Sequence, residues 1–348
     1  ASIETEDSST EYHIPAYASR AEIFNFVDTE LSDLVNDLKA PNSNEKYRVD
    51  KAAAWMLQAK LLMNAQVYVN TDRYADAKIL LNKVITETTY STHTSYSELF
   101  LADNDSNGAQ NEFIFTIAFD GINTKTFGGT TYLTHAPVGG SMTASNFGIN
   151  GGWAGIRTTS AFVNKFAGMS NDSRGNFYTA GQSLEITNVG NFTDGYAIQK
   201  FKNVDVNGNP GSDASGDFVD TDFPVFRLAD AYLMYAECEL RTGGSVSQAT
   251  VNNINKLRMR AYGDTTGNVT SGQINLNFIL DERGRELHWE AHRRTDLIRF
   301  GKFTGSSYVW PWKGGVASGS PTSSYRNLFP IPANALSTNS NLQQNPGY

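Results

Sequence analysis

Helical periodicity in this sequence occurs in two blocks, one near each end, and a glycine-rich middle separates them. Within each block apolar residues recur every three or four positions, which is the spacing of an amphipathic helix. The predicted helical segments lie at 19–38, 49–69, 72–87, 226–241, 247–262 and 274–300. The pattern therefore predicts a mainly α protein whose helices form paired hairpins.

The first hairpin contains alanines that suit close packing of helices. Ala52, Ala53, Ala59 and Ala77 carry almost no side chain and would let two helices approach each other closely. This character is typical of tetratricopeptide-type repeats, although the repeat period is only weakly kept. Hairpins this short cannot bury their own apolar faces. We therefore expect the two blocks to stack with the C-terminal helix as one α/α superhelical unit.

The middle of the chain has the character of turns and short strands. Residues 111–118 are typical of a strand, nine glycines follow between 121 and 155, and shorter strand candidates lie at 184–187 and 196–201. We expect a single domain over residues 1–348. Its predicted parts are helical hairpins at 19–90, a loop-rich region at 91–225, C-terminal helices at 226–302 and a loop-like tail at 303–348.

Composition argues against several classes of function. With 28 Lys and Arg against 36 Asp and Glu the net charge is −8, and the longest basic run is the pair Arg293 and Arg294, which disfavours nucleic-acid binding. No window approaches the roughly 20 apolar residues of a membrane-spanning helix. Cys238 is the only cysteine, so the sequence excludes an internal disulfide, and its apolar neighbours predict a buried thiol.

Two pairs of residues near the C-terminal end have the spacing of catalytic groups. Glu286 and Glu290 would be the carboxylates of a glycosidase, but residues four apart on one helix do not easily flank a bond from opposite faces. His288 and His292 would share a helix face as a metal pair, yet their order differs from that of the zinc proteases. The alternatives are a structural Glu/Arg network and core or surface histidines.

Two acidic loops are rich in hard oxygen donors. The segment Asp103–Gly108 echoes part of an EF-hand loop but lacks the glutamate at the twelfth position, and the second loop contains Asp220 and Asp222. Alternating aspartates beside a glycine suit Ca²⁺, which takes roughly six to eight oxygen ligands. The residues alone leave open a calcium site or ordinary Asx-turns.

Aromatic residues lie among the glycines of the middle region. The glycine pairs at 128–129 and 151–152 do not open a helix after a strand, so a dinucleotide-type phosphate site is disfavoured. Aromatic faces beside amides and hydroxyls suit sugar rings; the alternative is that the aromatics fill a loop-rich core. The residues concerned are Phe127, Tyr132, Phe147 and Trp153, with Tyr308, Trp310, Trp312 and Tyr325 further on.

Several motifs together resemble one known family. The longest is Glu282-Arg283-x-x-Glu286-Leu287-x-x-Glu290-x-x-Arg293-Arg294-x-Asp296-Leu297-x-Arg299-x-Gly301, which is similar to the C-terminal signature of the SusD/RagB family. Further matches are the segments 223–237, 97–105, 128–133, 220–222, 330–332 and 345–348. The resemblance covers nearly the whole chain and is strongest to the starch-binding members of the family.

The resemblance implies a tetratricopeptide-like helical scaffold with a glycan-binding face built from the irregular segments, and no catalysis. It implies binding of starch or malto-oligosaccharide, that is, of an α-glucan. It also implies a lipid-anchored lipoprotein at the outer-membrane cell surface. There such proteins deliver glycan to a TonB-dependent transporter of the SusC type.

The resemblance also assigns residues. The aromatic platform for the sugar falls at Phe127, where the starch-binding members have tyrosine, and at Trp153. The ligands of a structural calcium ion fall at Asp105, Asp220 and Asp222.

Family members carry a long N-terminal portion with a lipidated cysteine, the first helical repeats and another platform tryptophan. That portion has no counterpart here, so we expect the sequence to begin partway into the family's length. The resemblance leaves two alternatives open, namely another glycan or, as in proteins of the RagB type, peptides.

Overall fold

The computed structural model describes residues 14–348. In this range the chain forms eleven α-helices, four short strands and several single turns of 3₁₀-helix. The helices are α1 (Arg20–Asp37), α2 (Lys51–Met63), α3 (Ala65–Val69), α4 (Tyr74–Thr86), α5 (Gly129–His135), α6 (Ser160–Val163), α7 (Leu228–Gly243), α8 (Gln248–Tyr262), α9 (Leu276–Glu286), α10 (Arg293–Arg299) and α11 (Ala333–Thr338). The strands are β1 (Phe113–Ile117), β2 (Phe177–Tyr178), β3 (Ala197–Ile198) and β4 (Phe223–Arg227).

Side-chain caps fix where the long helices begin. Ser19 and Glu22 form a capping box at the start of α1, in which each side chain accepts from the other's backbone N–H. Asp50 caps α2 by accepting from the N–H groups of Ala52 and Ala53. Ser247 caps α8 in the same way. These caps lie within two residues of the helix starts that the sequence predicts.

The helical core is built on small residues, as predicted. Helix α4 packs between α2 and α7, and α7 also contacts α8 and α9. Ala52, Ala59 and Ala77 are completely buried where these helices meet, so their backbones lie close together. The two hairpin blocks and α9 therefore share one core, and the prediction of a mainly α, tetratricopeptide-like fold is confirmed.

A two-stranded ribbon joins the beginning and the end of the loop-rich region. Strands β1 and β4 are antiparallel, with Phe113 opposite Arg227 and Ile117 opposite Phe223. A second small ribbon pairs β2 with β3. The strand expected at 184–187 is not formed, because that segment is a series of bends. The start of the helix expected at 226 is instead the end of β4.

The predicted helix at 274–300 is interrupted between α9 and α10. Trp289 and Ala291 have positive φ angles of 62° and 64°, which the α-helix does not allow. Between them the Glu290 carboxylate accepts hydrogen bonds from Lys200 and Arg227. These buried ion pairs draw the backbone out of helical geometry, and the helical pattern of apolar residues gave no sign of them.

Within residues 14–348, no helix combines the length and apolar character needed to cross a bilayer.

Candidate functional site

Phe127 and Trp153 lie side by side on the surface of the loop-rich region. Their ring centroids are 6.3 Å apart and their planes are inclined by 56°. Phe127 is 64% exposed and Trp153 is 43% exposed, so both rings present a face to solvent. The structure thus brings together the two residues that the sequence analysis assigned to a platform.

Two further aromatic residues extend this surface. Tyr132, on α5, lies 6.1 Å from Trp153, and Phe218 lies 5.1 Å from Phe127 on the other side. The four residues Phe127, Tyr132, Trp153 and Phe218 are called the aromatic platform below. Tyr132 was among the aromatic residues noted in the sequence, whereas Phe218 was missed because it comes from a segment far along the chain.

A glycine turn presents Phe127. Gly129, the first residue of α5, has a φ of +57°, a conformation that residues with a Cβ rarely adopt. A Cβ at this position would also overlap the ring of Phe119. The turn therefore requires glycine, and it places Phe127 just before α5 and Tyr132 on the helix.

His135, at the end of α5, supports Trp153 from behind. Its ring stacks on the indole at 4.9 Å and 22°. The backbone N–H of Trp153 donates to the backbone carbonyl of His135 at 2.9 Å, and His135 Nδ1 lies 2.7 Å from Gly151 O, so Nδ1 carries the proton. Burial lowers the pKa of His135, so the ring is neutral at neutral pH. Trp153 is thus held through its backbone amide, and the inner face of its indole is held by stacking on His135.

Polar groups lie next to the platform. Asn150 donates from its side-chain amide to Asp217 Oδ1 at 2.6 Å, directly before Phe218 in the chain. Lys125 holds its ammonium 5.8 Å from the Phe218 ring centroid. The platform therefore offers flat apolar faces with an amide, a carboxylate and an ammonium at its edge.

The predicted calcium ligands do not converge on one point. Asp105 Oδ2 accepts from the Lys46 ammonium at 2.7 Å, and the Tyr47 hydroxyl lies 3.4 Å from the same oxygen. Tyr47 also faces Asp222, whose Oδ1 accepts from the Phe119 N–H at 2.9 Å. Burial raises the pKa of Asp222 to about 6.

The third carboxylate, that of Asp220, is used elsewhere. It accepts from the Gly121 N–H at 2.7 Å and from both the N–H and the hydroxyl of Ser212. Residues 14–348 contain no group of three or more His, Cys, Asp or Glu side chains that could hold a metal together. The three carboxylates are therefore not gathered around one point in this arrangement, and Lys46 provides the positive charge beside Asp105.

Comparison with known proteins identifies the family. A model of the SusD family matches residues 168–348, about half of the chain. The starch-binding protein SusD of Bacteroides thetaiotaomicron is 34% identical over 96% of this chain and 67% of its own length. The chain belongs to the SusD family. A SusD-like protein of Formosa agariphila, P25, is 41% identical over 30% of this chain and 19% of its own length.

Solved structures agree on the SusD fold. Surface glycan-binding protein A from Bacteroides thetaiotaomicron superposes with a TM-score of 0.72 at 22% identity, covering 94% of this chain and 70% of its own. The protein of the same name from Bacteroides fluxus has a TM-score of 0.73 at 20% identity, covering 96% and 71%. At this level of identity the likeness concerns the fold alone.

The SusD signature residues form a buried ion network. Arg227 donates to Glu112 at 3.0 Å, to Glu286 at 2.7 Å and to Glu290 at 2.6 Å. Arg174 donates to Glu286 from the other side. These groups come from β4, α9 and the loops around them, so the network connects the helices to the loop-rich region.

This network occupies the carboxylates considered for catalysis. Burial alone would raise the pKa of Glu290, but the nearby Arg227 and Lys200 outweigh it and hold the pKa at about 2. Arg260 and Arg227 lower the pKa of Glu286 in the same way. Both carboxylates are therefore ionised near neutral pH and bound by arginine, which agrees with the alternative of a structural Glu/Arg network.

The two histidines of the signature have separate partners. His288 Nδ1 lies 2.9 Å from Arg285 O, and His292 Nδ1 lies 3.2 Å from the Lys60 ammonium. Burial lowers the pKa of both, to about 4 for His292, so both rings are neutral at neutral pH. No third metal ligand joins them among the described residues.

Proposed function

We propose that this protein binds an α-glucan such as starch or malto-oligosaccharide at its aromatic platform and does not cleave it. The observation that carries the proposal is the exposed pair Phe127 and Trp153, 6.3 Å apart. Sugar rings stack their C–H faces on such aromatic faces, while their hydroxyls bond to neighbouring amides and carboxylates. The named function of the relative SusD, starch binding, supports the choice of glycan.

The inclination of the rings favours a curved polymer. The planes of Phe127 and Trp153 differ by 56°, and those of Tyr132 and Trp153 by 54°. Successive sugars can stack on inclined faces only when the glycan chain turns between them. A helical α-glucan turns in this way, whereas an extended β-1,4-linked chain keeps its sugar faces nearly parallel.

Isothermal calorimetry tests the proposal. Maltoheptaose and α-cyclodextrin should bind, and cellohexaose should not. Laminarihexaose is a further comparison ligand, because a structural neighbour was solved in complex with it. Binding of cellohexaose or laminarihexaose alone would show that the protein prefers β-glucans. Absence of binding to all four oligosaccharides would contradict glycan binding at the platform.

A matched pair of variants tests the site itself. Phe127→Ala should lower the affinity for maltoheptaose by about tenfold, since it removes one stacking face. Phe329→Ala removes a similarly exposed phenyl ring in the C-terminal tail, 70% exposed against 64% for Phe127, and should leave the affinity unchanged. Equal effects of the two substitutions would place the glycan elsewhere.

We propose further that the protein acts at the outer-membrane cell surface, anchored by lipid, and delivers glycan to a TonB-dependent transporter of the SusC type. Membership of the SusD family supports this setting. The full-length protein should fractionate with outer membranes, be accessible to protease added to intact cells, and co-purify with such a transporter. Recovery in the cytosolic fraction would contradict the proposal.

A further inference from the structure

Two rings of the aromatic platform are attached to helix α5. Tyr132 lies on this helix, and Trp153 is fixed to its end by stacking on His135 and by a backbone hydrogen bond to the same residue. A further backbone hydrogen bond, from Gly155 N–H to Ala136 O at 2.9 Å, holds the segment that follows Trp153. Tyr132 and Trp153 therefore form one unit with α5, which is called the helix half of the platform below.

The other two rings, Phe127 and Phe218, form a second unit. The Asp213 carboxylate accepts from the Phe218 N–H at 3.0 Å, which fixes the turn that carries this ring. Asp220, two residues further on, accepts from the Gly121 N–H at 2.7 Å and so attaches the turn to the segment that leads to Phe127. The two ring centroids are 5.1 Å apart. This unit is called the loop half of the platform.

The two halves meet between Phe127 and Trp153, whose ring planes are inclined by 56°. Along the chain, the loop half is connected to the helix half through Gly128 and Gly129. Glycine has the widest range of backbone angles, so two glycines in succession constrain the angle between the halves only weakly. A second connection is needed to fix that angle.

Asn150 provides such a connection. Its backbone N–H donates to Gly216 O at 3.1 Å, and its side-chain amide donates to Asp217 Oδ1 at 2.6 Å. Asn150 lies three residues before Trp153, and Asp217 lies directly before Phe218. The two hydrogen bonds, called the Asn150 bridge below, therefore join the segment of one half to the segment of the other.

The residues around the Asn150 bridge permit this close approach. Gly216 has a φ of +72°, and a Cβ at this position would lie 2.8 Å from Asn150 N. The Ser215 hydroxyl donates to Asp217 Oδ2 at 3.0 Å, which orients the carboxylate toward Asn150. Asn150 itself is exposed, so its amide stabilises the contact between the two loops and not the core.

We propose that Asn150 is a positioning residue that fixes the angle between the two halves and thereby sets the curvature of the glycan that the platform accepts. This inference rests on the proposed binding of an α-glucan at the platform. α-Cyclodextrin is a closed ring with a fixed curvature, whereas maltoheptaose can adjust its torsions to a changed platform. Loss of the Asn150 bridge therefore weakens binding of the closed ring more than binding of the open chain.

Calorimetry with these two ligands tests the proposal. Asn150→Ala should lower the affinity for α-cyclodextrin by about fivefold and that for maltoheptaose by less than about twofold, since one hydrogen bond between the loops is lost. Asn146→Ala changes an exposed asparagine whose side chain has no hydrogen-bond partner among residues 14–348, and both affinities should stay unchanged. If Asn150 instead contacted the sugar directly, both affinities would fall equally. Equal losses, or no loss, would overturn the proposal.

An exchange of donor and acceptor tests the bridge itself. Asn150→Asp should weaken α-cyclodextrin binding, because two carboxylates would then face each other across the loops. The double variant Asn150→Asp with Asp217→Asn keeps the total charge and restores a donor opposite an acceptor. Its affinity for α-cyclodextrin should return to within about twofold of the wild type. Absence of this recovery would overturn the proposal.

Hydrogen exchange followed by mass spectrometry tests the positioning role without any glycan. In Asn150→Ala the amides of segments 151–156 and 213–218 should exchange severalfold faster than in the wild type, whereas Asn146→Ala should match the wild type. Unchanged exchange in Asn150→Ala would overturn the proposal. Failure of the wild type to bind either glycan would instead contradict the proposed function, and the exchange rates would still decide whether Asn150 joins the two halves.

Discussion

At the scale of single residues, His135 shows how a buried ring orients an exposed one. Its imidazole stacks on Trp153 and its Nδ1–H is bound to Gly151 O. His135→Asn can keep the donor to Gly151 while it removes the flat ring. We expect glycan affinity to fall severalfold, since an aromatic pair contributes about 0.5–1.5 kcal/mol. Calorimetry with maltoheptaose measures the change.

A matched histidine provides the control for this prediction. His93 bonds to Glu98 at 2.8 Å and lies outside the platform. His93→Asn should leave glycan affinity as in the wild type. If His135→Asn also bound like the wild type, the stacking of His135 would not matter for the position of Trp153.

Calcium binding by Asp105, Asp220 and Asp222 stays a prediction, and the position of Lys46 suggests a test for it. If Ca²⁺ binds between these carboxylates, it must displace the Lys46 ammonium from Asp105. Added Ca²⁺ should raise the melting temperature relative to EDTA, and Lys46→Met should enlarge the rise because the competing charge is gone. No rise in either protein would contradict calcium binding at these carboxylates.

Residues of the candidate site could be predicted from the sequence only where they belong to a recognisable motif. Phe127 and Trp153 followed from a family resemblance, and the structure places them together. Phe218 and His135 carry no motif, because their roles depend on contacts with Phe127 and Trp153 that form only when separate segments meet. Sequence also gave no sign that Asp220 would be used by Ser212 and Gly121.

At the scale of elements, the junction between α9 and α10 should make the fold sensitive to acid. Burial, and then the nearby Lys60, lower the pKa of His292 to about 4, whereas the unfolded chain has an ordinary histidine pKa of about 6.5. Below about pH 6.5 the His292 imidazole becomes protonated in the unfolded state but stays neutral in the folded state until the pH approaches 4. Stability from this group is therefore full above that pH and is lost as the pH falls toward 4.

Thermal melts at about pH 7 and about pH 5 measure this effect. His292→Asn can still accept from Lys60 but does not titrate, so its melting temperature should fall less than that of the wild type between the two pH values. An equal fall in both proteins would assign the acid sensitivity to other groups, such as His288, whose pKa burial also lowers.

The same junction marks the limit of helix prediction. Apolar periodicity located α1, α4 and α8 to within about two residues, since local spacing and caps determine those helices. The break at residues 287–292 depends on Glu290 reaching Arg227 and Lys200, which are 63 and 90 positions away. Periodicity contains no information about such long-range pairs.

At the scale of the whole molecule, Arg227 connects parts of the chain that are far apart in sequence. Arg227→Met should lower the free energy of unfolding by about 3–5 kcal/mol, because Glu112, Glu286 and Glu290 would lose a buried positive charge. Urea unfolding followed by circular dichroism measures this loss.

An exposed ion pair provides the comparison. Arg48 and Glu45 pair at 3.0 Å with both side chains mostly in solvent. Arg48→Met should change stability by less than about 1 kcal/mol. A similarly small effect of Arg227→Met would mean that the network adds little to the stability of the fold.

The general architecture was predictable because it rests on local sequence pattern, namely the spacing of apolar residues and the positions of alanines. Alanines at 52, 59 and 77 permit close helix packing wherever the helices meet, so the stacking of the hairpins followed from sequence. The path of the loop-rich region could not be predicted from the sequence. It depends on the β1–β4 ribbon, and the pairing of Phe113 with Arg227 leaves no local signal in either segment.

That ribbon has an evolutionary consequence. Because β1 and β4 lie side by side, the stretch from 118 to 222, which carries the aromatic platform, starts and ends at one place on the helical scaffold. Within that stretch Arg174 pairs with Glu286, and Lys200 pairs with Glu290. The platform loops can therefore diverge while the scaffold keeps its own core, provided that Arg174 and Lys200 are retained. A preference for a different polymer can therefore arise from changes in these loops while the helical scaffold stays the same.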